Sequence, residues 1–197
     1  MRGSAVQYWL LLAVVLGIGY GGSLAWRQYR VSAETQPETK EVVRPLKPFA
    51  ITDQHGKPFH SDQWRGKVWV VGFFFTSCPS ECPRLTRAMA ELQAASPELH
   101  LASITCDPET DTPAVLARYA SQYGADQTRW KFLTGDLKEL ERIANEVFTV
   151  GFAKASHSNR IFLVDGDGNI RTSLLILEPG QLERMKKLLR SLGLSVT

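Results

Sequence analysis

The stretch FFFTSCPSECPRL, residues 73–85, joins the end of an apolar run to two cysteines. The run, VWVVGFFF at residues 68–75, is rich in β-branched and aromatic residues and predicts a strand that is buried on both faces. The residues that follow form one helical stripe at i, i+3, i+4 and i+7: Leu85, Ala88, Met89 and Leu92. Cys78 and Cys82 therefore lie between a buried strand and a helix, where open α/β sheets carry their sites.

The neighbouring segments predict a hairpin in front of this strand and an alternation of strands and helices behind it. FAITDQHGKPF, residues 49–59, is the hairpin, with its turn at His55-Gly56. LHLASIT, residues 99–105, is a second strand. Thr112 and Pro113 predict the start of a helix, with the Thr112 hydroxyl as its cap.

The last third of the chain predicts a helix, a hairpin and a final helix. The first of these helices opens at Asp136, which forms a capping-box pattern with Glu139. IFLV, DGDGN and IRTSLLIL, residues 161–177, form the hairpin, and Pro179 opens the final helix. This order, with cysteines directly after the first central strand, predicts an α/β, thioredoxin-like fold with an N-terminal β-hairpin.

The chain in front of this domain predicts one transmembrane helix. The expected regions are a tail at residues 1–7, an anchor at 8–26, a polar tether at 27–47 and the domain at 48–197. The anchor contains no charged residue, and at ~1.5 Å rise per residue its length nearly matches a hydrocarbon core of ~30 Å. A cleavable signal peptide is the alternative, because residues 23–25 resemble a cleavage site. Both interpretations place the domain outside the cytoplasm, most simply on the periplasmic side of a bacterial inner membrane.

The composition of the 197-residue chain bears on two points, nucleic acid as a partner and the pairing of the cysteines. The net charge of +3 comes without a block of lysine or arginine, so nucleic acid is not an expected partner. Thiols of an exported domain face oxidants. Three cysteines is an odd number, so at least one of them cannot pair within the chain.

The Cys78–Cys82 pair is compatible with a redox dithiol, a metal chelate or two buried thiols. Residues four apart share a helix face, and the positive partial charge of a helix N-terminus favours the thiolate form. If the helix begins near Pro79, both sulfur atoms can face one ion, and a thiolate pair prefers Cu(I) or zinc to hard cations. His157 is the candidate third ligand, because its polar loop directly precedes IFLV and can reach the cysteine end of the sheet.

Four segments stand in order along the chain: FFFTSCPSECP, ITCDPETDTP, WKFLTG ahead of a helix, and HSNRIFLVDGDGNIR with its histidine, strand and turn. They resemble the C-P-x-x-C-P motif, the D-P-x-x-D-T-P loop, the segment ahead of a helix and the histidine segment of the Sco/SenC family of copper proteins. The resemblance covers about residues 48–192. A single motif of this kind is modest, whereas four in register are specific.

The resemblance implies a thioredoxin fold in which Cys78, Cys82 and His157 bind one copper ion per chain, as Cu(I) or Cu(II). It implies a role in cytochrome c oxidase assembly, in which the protein delivers copper to the binuclear copper centre or reduces the cysteines of that centre. The implied partners are the copper-centre subunit of the oxidase, other copper chaperones or thiol reductants, and the membrane. The chain is then a metallochaperone rather than an enzyme in the usual sense.

Two other functions fit parts of the same sequence. An extracytoplasmic thiol–disulfide oxidoreductase with little or no copper role is favoured by Ser156, where the family often has Asp, and by the additional cysteine. In that case Cys78 and Cys82 are a catalytic dithiol that cycles through a disulfide bond, although general reductants usually carry C-x-x-C. A thiol peroxidase is the third hypothesis, because Thr76 and Cys78 resemble its threonine–cysteine pair at a different spacing.

Cys106 and Asp107 are candidate accessory residues. Cys106 ends the second strand, next to the first, so its sulfur either lies near the pair or packs as a small apolar group. As a third thiol of the site it would exchange disulfides or compete for copper. Asp107 fits a turn or helix cap better than a ligand position.

Overall fold

A computed structural model describes residues 43–152 and 159–197 of the chain. The predicted tail, the predicted anchor, most of the predicted tether, and Ser156 and His157 lie outside the described residues. Within the two described ranges, no helix combines the length and the apolar character that crossing a membrane requires.

The described residues form one eight-stranded sheet with the order β1-β8-β7-β4-β5-β6-β2-β3. The strands are β1 (Arg44–Pro45), β2 (Ala50–Asp53), β3 (Pro58–His60), β4 (Trp69–Phe74), β5 (His100–Thr105), β6 (Trp130–Thr134), β7 (Arg160–Val164) and β8 (Asn169–Leu175). The three central strands β4, β5 and β6 run parallel, and the remaining neighbours pair antiparallel. The predicted hairpins are confirmed as β2–β3 and β7–β8.

The helices follow the central strands. They are α1 (Glu81–Ala95), α2 (Pro113–Gln122), α3 (Leu137–Arg142), which continues as a π-helix (Ile143–Val147), and α4 (Gln181–Ser191); a short 3-10 helix covers Ser61–Trp64. Parallel strands joined by helices, followed by an antiparallel hairpin and a last helix, confirm the predicted α/β, thioredoxin-like architecture.

Strand β4 is the centre of two cores, because all six of its residues are buried. Val70 belongs to the core that α1, α2 and α4 cover, whereas Val71, the next residue, belongs to the core under α3 and its π-helix. Successive side chains of a strand point to opposite faces of the sheet, so a continuous apolar run is what a strand between two helix layers requires.

The starts of α1 and α2 differ in detail from the predictions. Helix α1 begins at Glu81 rather than near Pro79, because the chain first makes a turn in which the Cys78 N–H donates to the Phe75 carbonyl at 3.3 Å. The Thr112 hydroxyl makes no capping hydrogen bond. The side chain of Thr112 is at the surface, where water can satisfy the first N–H groups of α2.

The capping box at α3 is half formed. Asp136 accepts hydrogen bonds from the Lys138 and Glu139 N–H groups at 3.0 and 3.3 Å, as predicted. Glu139 instead pairs with Arg142 at 2.7 Å, because the two lie one turn apart on the helix. The last helix begins at Gln181 and not at Pro179, where it was predicted to begin. Gly180, which lies between them, has a φ of 78°, in the left-handed region that a right-handed helix does not contain.

Arg44, in the segment predicted as tether, connects β1 to the end of the π-helix. Its guanidinium donates to the Val147 carbonyl at 2.6 Å and to the Thr149 hydroxyl at 3.1 Å. Thr149 has a φ of 52°, an uncommon conformation for a β-branched residue. A cationic donor at a helix C-terminus satisfies carbonyls that have no helical partner, so Arg44 stabilises this helix end.

We expect Arg44→Ala to lower the free energy of unfolding by about 1–2 kcal/mol, since it removes two hydrogen bonds from a charged donor. Lys47→Ala is the matched control, because the Lys47 ammonium and the Glu146 carboxylate are 4.0 Å apart and exposed. An exposed pair of this kind contributes at most about 1 kcal/mol, and many contribute nothing measurable. Equilibrium unfolding in urea measures both, and equal losses would contradict the role of Arg44.

Candidate dithiol site

The two cysteines of the pair lie at the carboxyl end of β4, one on each side of a helix start. Cys78 follows the turn after β4, and Cys82 lies in the first turn of α1. The Cys82 N–H points at the Cys78 sulfur, with a nitrogen–sulfur distance of 3.3 Å. Both side chains are buried, with 3% of each residue exposed. The structure therefore brings the predicted pair together as thiols.

The surroundings of Cys78 favour its thiolate. Burial alone raises the pKa of a thiol, but the N–H groups of Cys82, Ser80 and Glu81 and the thiol of Cys82 all donate toward the Cys78 sulfur. Together these donors outweigh burial and lower the pKa of Cys78 from 9.0 to about 7. A helix start with N–H groups that have no helical partner is the physical source of this shift.

Cys82 shifts in the opposite direction. Burial is the largest cause, and it outweighs the backbone N–H of Phe75, which lowers the pKa. The hydrogen bond to Cys78 and the charges of Cys78 and Cys106 raise it further, to about 12. The pair therefore consists of one thiol that ionises near neutral pH and one that holds its proton.

Cys106 packs with a different set of side chains from the pair. It is 4% exposed and lies in the core under α3, with Phe73 and Phe148, whereas Cys78 and Cys82 belong to the core on the other face of the sheet. Burial, followed by the charges of Asp111 and Asp107, raises the pKa of Cys106 to about 12. A Cys106 thiolate would raise the pKa of Cys82, but Cys106 keeps its proton near neutral pH, and its role in the site stays a prediction.

Asp107 and Asp111 occupy the loop between β5 and α2. The Asp107 N–H donates to the Thr105 hydroxyl at 2.9 Å, and Asp107 Oδ1 is buried without a hydrogen-bond partner among the described residues. Asp111, fully buried, accepts from the N–H and hydroxyl of Thr76, two residues before Cys78. Asp111 was not predicted from the sequence as a site residue, although the motif ITCDPETDTP contains it, because its contact with Thr76 depends on how β4 and β5 pair.

The structure places three of the four histidines away from the pair. His55 and His60 are exposed in the first hairpin, as expected. His100 lies at the amino end of β5, where its ring meets Trp64 with a centroid distance of 5.2 Å. The described residues contain no group of three or more His, Cys, Asp or Glu side chains arranged for a metal. The assignment of His157 as a ligand therefore stays a prediction.

The donor set of the pair fits a soft metal ion. Two sulfur atoms face each other at a helix start, and one of them ionises near pH 7. Thiolate sulfur suits Cu(I) in particular and suits hard cations poorly. The same two sulfurs also fit a disulfide, so the described part of the site is compatible with both chemistries.

This fold and this pair of thiols define a thioredoxin-like protein with a C-x-x-x-C dithiol at the start of its first helix. Comparison with known proteins makes the class specific. The sequence pattern of the family described as SCO1/SenC matches residues 27–192, and the chain belongs to this family.

Relatives and solved structures agree with this membership. The chain is 32% identical over 136 residues to the SCO1 protein homolog of Bacillus subtilis, covering 64% of this chain and 70% of the relative. It is 33% identical over 141 residues to a putative copper-binding protein of Stutzerimonas stutzeri, covering 65% and 68%.

Two solved structures share both fold and sequence with this chain. A SCO1/SenC family lipoprotein from Bacillus anthracis is 27% identical with a TM-score of 0.73, and the match covers 78% of this chain and 98% of that one. BsSco, a member of the Sco family of cytochrome c oxidase assembly proteins with a disulfide switch, is 26% identical with a TM-score of 0.68, covering 80% and 98%.

We expect one thiol of the reduced, metal-free protein to titrate with a midpoint near pH 7. This thiol is Cys78, because the donors around its sulfur stabilise the thiolate and lower its pKa to about 7. Cys82 and Cys106, whose pKa values are raised to about 12, should stay protonated well above pH 9. The ultraviolet absorbance of the thiolate measures this. Cys78→Ser should remove the low midpoint and Cys106→Ser should leave it, whereas a single common midpoint near 9 would contradict the asymmetry.

Proposed function

We propose that this chain is a membrane-anchored copper-binding protein of cytochrome c oxidase assembly, with its domain outside the cytoplasm. Its metal site consists of Cys78, Cys82 and His157 and holds one copper ion per chain. The observation that carries the proposal is the buried Cys78–Cys82 pair at the start of α1, with one thiol poised to ionise. Family membership and the copper-binding and oxidase-assembly relatives support it.

The chemistry of the three side chains suits copper in both oxidation states. The thiolates of Cys78 and Cys82 favour Cu(I), and an imidazole nitrogen from His157 suits Cu(II) as well. Burial of the two sulfurs keeps competing water away from them. Cys82, whose pKa is raised, gives up its proton when the metal binds, so copper uptake releases protons and becomes tighter as the pH rises.

The role in assembly is either delivery of copper to the binuclear copper centre or reduction of the cysteines of that centre. In the reduction, the Cys78 thiolate attacks one sulfur of the partner's disulfide and forms a mixed disulfide, while the partner's S–S bond breaks and its other sulfur leaves as a thiolate. Cys82 then gives up its proton and attacks Cys78, which forms the Cys78–Cys82 bond and releases the second partner sulfur. Two electrons pass to the partner, whose two thiols take up the Cys82 proton and one proton from solvent.

An extracytoplasmic thiol–disulfide oxidoreductase with little copper role is the second candidate. The opposite pKa shifts of the two thiols favour it, since an attacking thiol works best when its pKa is near the ambient pH. The thiol peroxidase hypothesis has weaker support, because the Thr76 hydroxyl donates to Asp111.

A copper titration of wild type and His157→Ala separates the first two candidates. We expect wild type to bind one copper ion and His157→Ala to lose Cu(II) affinity by at least about tenfold, because an imidazole ligand is removed. Cu(I) binding, which the thiolates dominate, should change much less. The measurements are Cu(II) affinity by spectroscopic titration and Cu(I) affinity by competition with a chelator.

His60→Ala is the control for this experiment, because it removes an exposed imidazole from β3 of the first hairpin. It should bind Cu(II) and Cu(I) with the same affinities as wild type. Unchanged Cu(II) affinity in His157→Ala would remove His157 from the site. A wild type that binds no copper, while its dithiol exchanges with disulfides, would favour the oxidoreductase.

A further inference from the structure

Asp111 is a buried carboxylate whose partners all lie in the strand ends next to the dithiol. The side chain is 0% exposed, and Oδ2 accepts from the Thr76 N–H at 3.1 Å. The Thr76 hydroxyl also donates to this carboxylate, and the Thr105 hydroxyl donates to it at 2.5 Å. The carboxylate therefore links the chain after β4 to the last residue of β5.

One peptide unit connects Asp111 to Cys78. The N–H of Thr76 donates to Asp111, and the carbonyl of Phe75, on the same planar unit, accepts from the Cys78 N–H at 3.3 Å. The atoms of a peptide unit move together. A carboxylate that holds the N–H side of this unit therefore also fixes the carbonyl that closes the turn into Cys78.

Asp111 is itself held firmly. Its N–H donates to the Asp107 carbonyl at 2.8 Å, and the Asp107 N–H donates to the Thr105 hydroxyl at 2.9 Å. The loop is thus pinned to β5, and the position of the carboxylate follows from the parallel pairing of β4 with β5. The position of the turn into Cys78 therefore depends on the position of the Asp111 carboxylate.

The partners of the Asp111 carboxylate are neutral groups, and no lysine or arginine of the described residues forms an ion pair with it. Burying a charge without an opposite charge costs free energy that hydrogen bonds offset only in part. Stability alone gives little reason for a carboxylate here. A turn that must keep one geometry does give a reason, because a carboxylate can accept several donors at once.

We propose that Asp111 is a positioning residue for the dithiol: through the 75–76 peptide unit it holds Cys78 where its sulfur meets Cys82. This inference rests on the use of the pair proposed above. A disulfide requires its two sulfurs at about 2.05 Å and its Cβ atoms about 3.8 Å apart. A fixed turn keeps Cys78 close to that geometry, and a loose turn spreads it over positions from which the bond does not form.

The test is the equilibrium between the dithiol and glutathione. Oxidised glutathione converts the two thiols to the Cys78–Cys82 disulfide, and its own disulfide bond breaks to give two reduced glutathiones, which receive the two electrons and two protons. Full-length wild type, Asp111→Ala, Asp111→Asn and Thr105→Val are equilibrated in glutathione buffers. Alkylation and peptide mass spectrometry then give the fraction of chains that contain this disulfide.

We expect Asp111→Ala to lower the equilibrium constant for disulfide formation at least tenfold, which is about 30 mV for a two-electron couple. Asp111→Asn should stay within about threefold of wild type, because its amide oxygen can accept from the Thr76 N–H. Thr105→Val should lower the constant by less than Asp111→Ala does. It removes the hydroxyl that donates to Asp111 and accepts from the Asp107 N–H, but it leaves the Thr76 N–H paired with Asp111.

Urea unfolding measures the stability of each variant, so that a loss of positioning can be separated from a general loss of structure. If the equilibrium constant follows stability across the variants, or if Asp111→Ala equals wild type, the positioning role is wrong. If wild type itself forms no Cys78–Cys82 disulfide and binds no copper, the proposed function fails with it. If wild type forms the disulfide or binds copper, and Asp111→Ala has the same equilibrium constant for disulfide formation as wild type, only the positioning role is wrong.

A measurement on wild type covers the case in which Asp111→Ala does not fold. Ser77 is exposed, and its N–H makes no hydrogen bond to another described residue, so its amide is an internal reference for its neighbour. We expect the Thr76 amide to exchange its hydrogen at least 100-fold more slowly than the Ser77 amide after correction for intrinsic rates. Equal exchange of the two amides would show that Asp111 does not hold the turn.

Discussion

The parallel pairing of β4 with β5 is the constraint on which the site depends. The ladder runs from Trp69 opposite His100 to Phe74 opposite Thr105, so both strands end at the same edge of the sheet. The loop that carries the cysteine pair and the loop that carries Asp111 therefore leave the sheet side by side. A shift of one residue in this register would exchange the faces of every side chain beyond it and separate the two loops.

The position of the pair at this edge explains why two thiols four residues apart differ so much in pKa. Both are buried, and burial alone would raise the pKa of each. The helix start directs its N–H groups at Cys78, so the hydrogen bonds outweigh burial there, whereas at Cys82 they do not. One thiol is thereby prepared to act as ligand or nucleophile, while its neighbour holds the proton until metal or disulfide formation removes it.

The cysteine pair lies on one face of the sheet, and Cys106 and the π-helix lie on the other. Cys106, directly after β5, packs in the core under α3, whereas the cysteine pair packs in the core on the other face of the sheet. The core under α3 also contains the π-helix, whose end is bound by Arg44 of β1.

The sequence by itself determined the strand before the cysteines, the helix behind them, the order of the elements and the family, because periodicity and motif spacing are local properties of the chain. It also identified Cys78 and Cys82 as the pair. Only the tertiary structure decided the direction of each thiol's pKa, the face on which Cys106 packs, and the contact of Asp111 with Thr76, 35 residues away. These depend on burial and on which N–H groups converge at one point, and both arise only when distant strands pair.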